Sequence, residues 1–453
     1  MTETVFLDAA LLADGWARDV VLTMANGRIV AVQTGAVPSG AMHRHGIGLP
    51  GLPNLHSHAF QHAMAGRAER RGQTADSFWS WRELMYRSLD LMTPEDVQAI
   101  TAYAFMEMIE GGFTQVAEFH YLHRTPAGEP YDDPAEMAVR VVEAAHQTGI
   151  GLTLLPVFYA HGSFADAAPT HGQRRFLADL DFYARLLEGS RAAVAGLPGA
   201  RLGVAPHSLR AAAPDEIAAV AAMAPDGPIH IHVAEQIREV EDCLAWSGAR
   251  PVEWMLDNVA LDACWCFIHA THMVPREIIR LAASGVCAGL CPLTEASLGD
   301  GVFPGPAWQD AGGRWGIGTD SNVMIGANAE LRQLEYAQRL AARQRNVMTT
   351  AGTSTGRALF DAARRGGWQA LGDAASGVGL AVGAPADLVV LAPDPSGEGQ
   401  TDEAIDRWIF ARADRGIEAV WCAGVRLVEG GQHIRRPALA HAYKAAIRRL
   451  YAR

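Results

Sequence analysis

From residue 1 to about 48, short apolar runs such as VFLDAALL and DVVLTMANGRIVAVQTG are broken at Asn26-Gly27, a pair that tolerates the positive φ angles of a two-residue hairpin. This predicts a small antiparallel sheet. The same texture returns in ADLVVLAP (386 to 393) and GIEAVWCAGVRLVEGGQ (416 to 432), so the two ends are expected to pair into one β-sandwich. Between them, short apolar strands alternate with amphipathic helical stretches. The expected strands are 51–58, 114–121, 151–159, 200–208, 228–235, 264–272, 286–292 and 314–321, and a helix is expected from Thr93-Pro94 to the glycines after Glu110. Eight strands in βα alternation predict an α/β chain with a (β/α)8 barrel over 49–377, a discontinuous sandwich from 1–48 and 378–435, and a basic C-terminal helix over 436–453 with a solvated face. A doubly wound open sheet is the rival architecture. The strand ends argue against it, because nearly every one carries a polar or titratable residue: His56 and His58, His120 and Tyr121, His207, His232 and Glu235, His269, Asp320. Barrel enzymes place their chemistry on that rim.

A chain of 453 residues exceeds what one core usually fills, which agrees with one large unit and a small companion. Its formal charge of -12 argues against a nucleic-acid partner, and an anionic ligand would need locally placed arginines. The start lacks a basic segment followed by a long apolar run, and no later stretch reaches the roughly twenty apolar residues of a membrane helix. A soluble, cytoplasmic protein is expected. The six cysteines fall in apolar runs without CxxC pairing and are expected as buried thiols in a reducing compartment.

Side chains two apart on a strand share a face, so His56 and His58 can reach one ion from inside the barrel. His232, His269 and Asp320 end three further strands, where a polar side chain buried without a partner costs several kcal/mol. A shared cation removes that cost. His230, two residues before His232, is the alternative ligand from the same strand, but it lies deeper. Nitrogen and carboxylate donors without thiolate suit zinc first and iron second. Glu235, three residues beyond His232, is placed to carry a proton, against the alternative of a solvated carboxylate where QIREVEDC starts a helix. His269 can stabilise developing charge, against the alternative of a satisfied core histidine. No GxSxG elbow, GxGxxG after the first strand or Walker-type loop occurs.

The motifs HSH, HVAE, IHATH, GTDS and the late ADLVVL together resemble the deaminase branch of the amidohydrolase superfamily, along nearly the whole chain. That resemblance implies that His56, His58, His232 and Asp320 hold one divalent ion, with His269 beside it. No lysine on the fourth expected strand is available for carboxylation, so a mononuclear site is expected. Five further stretches, HSHAFQHAMAGRAERRG, DSFWSWRELMY, FHYLH, APHSLRAA and CPLTEASLGDG, resemble the formimidoylglutamate deiminase family. This second resemblance implies hydrolysis of N-formimino-L-glutamate to N-formyl-L-glutamate and ammonia in histidine degradation, by a homodimer, with Gln61, Arg82, Tyr121, His207 and Arg210 around the substrate. A dicarboxylate suits two arginines, whose planar forks match carboxylates. Arg82 is expected in a long aromatic loop, its alternative being a surface arginine stacked on Trp79 or Trp81. Two other readings compete: deamination of an aromatic heterocycle such as guanine, cytosine or an adenosine derivative, and a non-enzymatic barrel scaffold, which lost ligands would mark.

Overall fold

The computed structural model describes residues 2–37, 44–71, 77–393 and 401–451. Four strands come first: β1 (Thr2–Leu12), β2 (Gly15–Ala25), β3 (Arg28–Gln33) and β4 (Arg44–Pro50). Nine follow in the middle: β5 (Leu52–Ser57), β6 (Phe113–His120), β7 (Gly151–Phe158), β8 (Arg201–Leu202), β9 (Ala205–Pro206), β10 (Ile229–Val233), β11 (Trp265–His269), β12 (Cys287–Leu290) and β13 (Arg314–Ile317). The last four are β14 (Leu388–Leu391), β15 (Ile417–Cys422), β16 (Val425–Glu429) and β17 (Gln432–His433).

Asn26 and Gly27 both take positive φ, 51° and 77°, and close the β2–β3 hairpin in the way the dipeptide predicts. The two ends of the chain meet where β14 pairs antiparallel with β4, Leu388 opposite Pro50. The result is one eight-stranded sheet in the order β17-β16-β15-β14-β4-β1-β2-β3. It is mixed rather than purely antiparallel, since β4 runs parallel to β1. The chain must cross over after β3 so that β4 can deliver it into β5. Alternate residues of one face (Val5, Leu7, Leu22, Leu388, Val390, Trp421) share a single apolar cluster, so the expected sandwich is a continuous sheet around its own core.

The middle strands are all parallel, in two runs, β5-β6-β7-β8 with β9 on β7, and β10-β11-β12-β13. Bridges Val204–Ile229 and Ser208–His232 join the runs on one side, and Ser57–Asp320 joins them on the other. Eight strand positions therefore close into a ring. The expected strand over 200–208 is broken into β8 and β9 around Gly203, which packs so tightly on the Pro228 carbonyl that a Cβ would come within 2.3 Å of it.

The helix Pro94–Glu110 starts with a reciprocal cap, Thr93 Oγ1 accepting from Asp96 N and the Asp96 carboxylate accepting from Thr93 N, both at 3.2 Å. Against it docks the terminal helix Arg436–Tyr451. One face of this helix packs on the molecule: Leu439, Ala446 and Leu450 are buried, Tyr443 stacks on Tyr103 at 4.2 Å, and Arg436 and Arg449 pair with Glu110 and Asp96. The opposite face, with His441, Lys444 and Arg448, is exposed, the solvated face that its basic sequence suggests. Five cysteines are buried free thiols; Cys264 is exposed, because β11 begins only at Trp265 and the preceding turn lies on the surface. No described helix is long and apolar enough to cross a membrane.

Candidate metal centre and substrate pocket

His56 and His58 lie at the end of β5, and the backbone there is laced to the Asp320 loop. Thr319 N and Asp320 N both donate to the His56 carbonyl at 3.0 Å, and His58 N donates to the Asp320 carbonyl at 2.8 Å. Gly318 makes this approach possible, since a Cβ there would lie 2.7 to 2.8 Å from His56. Asn322 braces the same corner, donating to Ser57 Oγ at 3.1 Å and to the Asp320 carbonyl at 2.9 Å. Asp320, His269 and Ala234 all take left-handed φ angles of 45°, 68° and 54°. Non-glycine residues in that region cost of order 1 kcal/mol each, and such strain concentrates where side chains must be aimed.

Four buried donor atoms converge. His56 Nε2 lies 3.1 Å from His58 Nε2 and 3.2 Å from His232 Nε2, while Asp320 Oδ1 lies 3.4 Å from His56 Nε2 and 3.2 Å from His58 Nε2. A tetrahedral ion with metal–nitrogen bonds of about 2.0–2.1 Å would set donors about 3.3–3.4 Å apart, so these spacings fit one cation. The tautomers fit as well. His58 Nδ1 faces the Phe119 carbonyl at 2.8 Å and His232 Nδ1 faces the His207 carbonyl at 3.1 Å. A ring nitrogen facing a carbonyl carries the proton, which leaves both Nε2 lone pairs turned into the hollow. Burial, reinforced by the neighbouring His58, pushes the His56 imidazole down to about 3 and keeps it neutral. His230 is turned away, its Nε2 2.7 Å from the Ala370 carbonyl.

Beside this hollow, His269 Nε2 lies 3.7 Å from Glu235 Oε1, and His269 Nδ1 lies 3.3 Å from Glu295 Oε1. Burial disfavours charge on His269, but Glu235, Glu295 and Asp320 together outweigh it and raise the imidazole to about 10. Burial raises the Glu235 carboxyl, while His269 and Arg210 pull it back. Glu235 is thus a buried carboxylate inside the site and not a solvated helix start. Arg210 Nη2 lies 3.7 Å from Glu235 Oε2.

Gln61, Arg82, Tyr121, His207 and Arg210 line the same cavity as His58, His232, Glu235, His269 and Asp320. Gln61 Nε2 donates to the Tyr121 hydroxyl at 2.5 Å, and Gln61 Oε1 is buried without a partner among the described residues. Arg82 corrects one expectation: it sits on a helix, Phe78–Leu89, not in a loop. The interleaved tryptophans mask a helical spacing of buried Phe78, Met85, Tyr86 and Leu89, and Ser77 and Ser80 cap its start. Residues 72 to 76, which complete two of the motifs quoted above, lie outside the described residues. Arg82 stacks 4.6 Å from the Trp79 ring and still lines the cavity, with Nε buried and unpartnered among the described residues. The cavity is small, about 60 Å³. A larger cleft of about 1030 Å³ opens around Arg314 and Arg364, at the N-terminal ends of the strands and away from this chemistry.

Sequence reasoning missed Glu239, Glu295, Tyr86 and Tyr159. Tyr86 and Tyr159 line the cavity. Glu295 stands inside CPLTEASLGDG, where its accompanying Pro292 and Gly299 helix signals gave no hint that its side chain turns toward His269. Glu239 lies within QIREVEDC, where an acidic residue in a first helical turn reads as solvated.

The amidohydrolase family profile matches residues 47–427, and the profile described as formimidoylglutamate deiminase HutF, N-terminal domain, matches residues 2–46. A formimidoylglutamate deiminase from Pseudomonas aeruginosa is 48% identical over 97% of both chains. An 8-oxoguanine deaminase from the same organism is 27% identical over 90% of each. A crystal structure of an amidohydrolase from Brucella melitensis superimposes with a TM-score of 0.96, at 51% identity over 99% of both chains. The chain belongs to the amidohydrolase family, on the branch that carries the formimidoylglutamate deiminase N-terminal domain.

Proposed function

We propose that the chain hydrolyses the formimino C–N bond of N-formimino-L-glutamate, giving N-formyl-L-glutamate and ammonia, as a step of histidine degradation. The observation that carries this reading is the pairing of a four-donor hollow with two arginines, Arg82 and Arg210, that reach the same cavity from separate elements with Nε unpartnered among the described residues. A dicarboxylate in an acidic protein needs such a local positive field. The relative of the same printed activity supports it at 48% identity.

In this reading His56, His58, His232 and Asp320 hold one divalent ion per subunit, zinc first and iron second. Such an ion brings the pKa of water from about 15.7 down toward 7. Glu235 takes one proton from the attacking water and passes it to the imino nitrogen as the oxygen adds to the formimino carbon and the C=N bond becomes a C–N single bond. Asp320 accepts the second proton, from the hydroxyl of the adduct, and this proton passes to the same nitrogen as the C–N bond breaks, ammonia leaves and the formyl C=O forms. His269, 3.7 Å from Glu235 and in the cavity wall, stabilises charge building at the reacting centre. Arg82 and Arg210 bind the two carboxylates, while Gln61, Tyr121 and His207 orient the chain between. We assign the sandwich to 1–48 and 378–435, the catalytic barrel to 49–377 and a terminal helix to 436–453, in a cytoplasmic homodimer.

The 8-oxoguanine deaminase relative and the aromatic wall of Tyr86, Tyr121 and Tyr159 favour a heterocycle as the second reading. The arginines separate the two. Metal-loaded protein should release ammonia from N-formimino-L-glutamate and not from guanine, and the reverse preference would establish the second reading.

A further inference from the structure

Glu239 stands behind the site without touching the hollow. It lies on the first turn of the helix Ile237–Ser247 and is fully buried. Its Oε1 accepts from Ala234 N at 3.3 Å and its Oε2 from Glu235 N at 3.0 Å. These are consecutive amides just past the end of β10, where Ala234 takes its left-handed φ of 54°. An L-residue has little reason to stay there on its own, so two charge-assisted hydrogen bonds to one carboxylate help hold the turn. That turn sets where the Glu235 side chain emerges.

The same Oε1 lies 4.0 Å from Arg210 Nε, while Arg210 Nη2 lies 3.7 Å from Glu235 Oε2. Both separations exceed a hydrogen bond, and Arg210 Nε has no hydrogen-bond partner among the described residues. The guanidinium is therefore attracted by two carboxylates and bonded by neither, which leaves its donors open to a third. Glu239 thus balances the pull of Glu235 on Arg210, and its loss would leave Glu235 as the nearer carboxylate, at 3.7 Å.

We propose that Glu239 is a positioning residue that fixes the separation between Glu235 and Arg210, so that anchoring a substrate carboxylate and moving a proton remain compatible. The inference rests on the proposed function for the identity of the anion. A carboxylate that only capped its helix would affect stability and nothing else.

The test uses metal-loaded full-length protein, with turnover measured on N-formimino-L-glutamate and binding measured calorimetrically on glutarate, a dicarboxylate that cannot react. Glu239→Gln keeps an acceptor for one amide but removes the charge beside Arg210. It is expected to weaken glutarate binding about tenfold and to lower kcat about tenfold or more, with a melting temperature close to that of the parent. In a cycle with Arg210→Lys, the effects on glutarate binding are expected to be non-additive, the double variant being little weaker than Arg210→Lys alone. Unchanged glutarate affinity and kcat in Glu239→Gln, or fully additive effects in the cycle, would overturn the proposal. If Glu239→Gln does not fold, Glu239→Asp, which withdraws the charge by one methylene, is measured in the same way, and parental values there would overturn it equally. A parent that neither binds glutarate nor releases ammonia would sink the substrate assignment and this inference with it, whereas an active parent with an indifferent Glu239→Gln would sink only the role of Glu239.

Discussion

His58 and Phe119 are joined by a hydrogen bond of 2.8 Å from the ring Nδ1 to the backbone carbonyl, and this one contact turns the His58 Nε2 lone pair toward His56, His232 and Asp320. His232 is oriented the same way by the His207 carbonyl. Backbone carbonyls of neighbouring barrel strands thus set the tautomers of two donors. Because the frame is backbone, it survives substitution of the donors themselves. Asp320→Asn should therefore fold normally yet lose metal on dialysis and lose at least about a hundredfold in kcat. Elemental analysis and ammonia release check this together, and retention of one ion per chain with parental turnover would contradict the ligand assignment.

Glu295 receives His269 Nδ1 at 3.3 Å and also the backbone amide of Cys291 at 2.9 Å. A carboxylate in that position fixes the ring orientation and favours the imidazolium. Glu295→Gln keeps the amide contact and removes the charge. It is expected to lower kcat about tenfold or more while leaving KM within about threefold. A large KM change at constant kcat would mean that His269 serves binding instead.

Arg210 and Arg82 should separate from Glu235 in steady-state kinetics. Arg210→Ala removes a buried guanidinium from the cavity and should raise KM for N-formimino-L-glutamate by about a hundredfold, with glutarate inhibition lost in parallel. Glu235→Gln should instead depress kcat by about a hundredfold or more with little change in glutarate affinity. Equal turnover of formimino compounds that lack both carboxylates would count against the arginines as receptors.

His230, two residues before His232 but turned to the Ala370 carbonyl, provides a pH test. Burial lowers its imidazole from 6.5 to about 4, even though its bond to the Ala370 carbonyl pulls the other way. The unfolded chain takes up this proton near 6.5 and the folded chain only near 4. The stability that His230 contributes in its neutral form is therefore present above pH 6.5 and lost as pH falls through that window, about 3 kcal/mol in all. Thermal melts of the parent and of His230→Gln should show a gap that narrows from pH 7 to pH 4. A gap that stays constant would mean that His230 titrates normally.

Much of this arrangement is legible in the sequence because barrel geometry converts spacing into direction. Alternation at His56 and His58, and the recurrence of His232, His269 and Asp320 at strand ends, place them on one rim from the sequence pattern itself. Arg82 is harder to read, because Trp79 and Trp81 hide the helical period on which Phe78, Met85, Tyr86 and Leu89 are buried. Glu239 and Glu295 were less legible still. Each is an acidic residue early in a helix, which usually marks a solvated first turn, and only the folded chain brings one to the amides after β10 and the other to His269. The parallel pairing of β1 with β4 escaped for a related reason, since hydrophobic alternation specifies a strand and its faces but not the direction of its neighbour.

In the proposed function, four strand-end donors hold one divalent ion that makes this cavity a hydrolase for a formimino dicarboxylate. The most direct test titrates chelator-stripped protein with zinc while following ammonia release from N-formimino-L-glutamate. Activity should rise linearly and reach its plateau at one ion per chain. Full activity in protein shown by elemental analysis to carry no metal, or no ammonia release at one ion per chain, would contradict it.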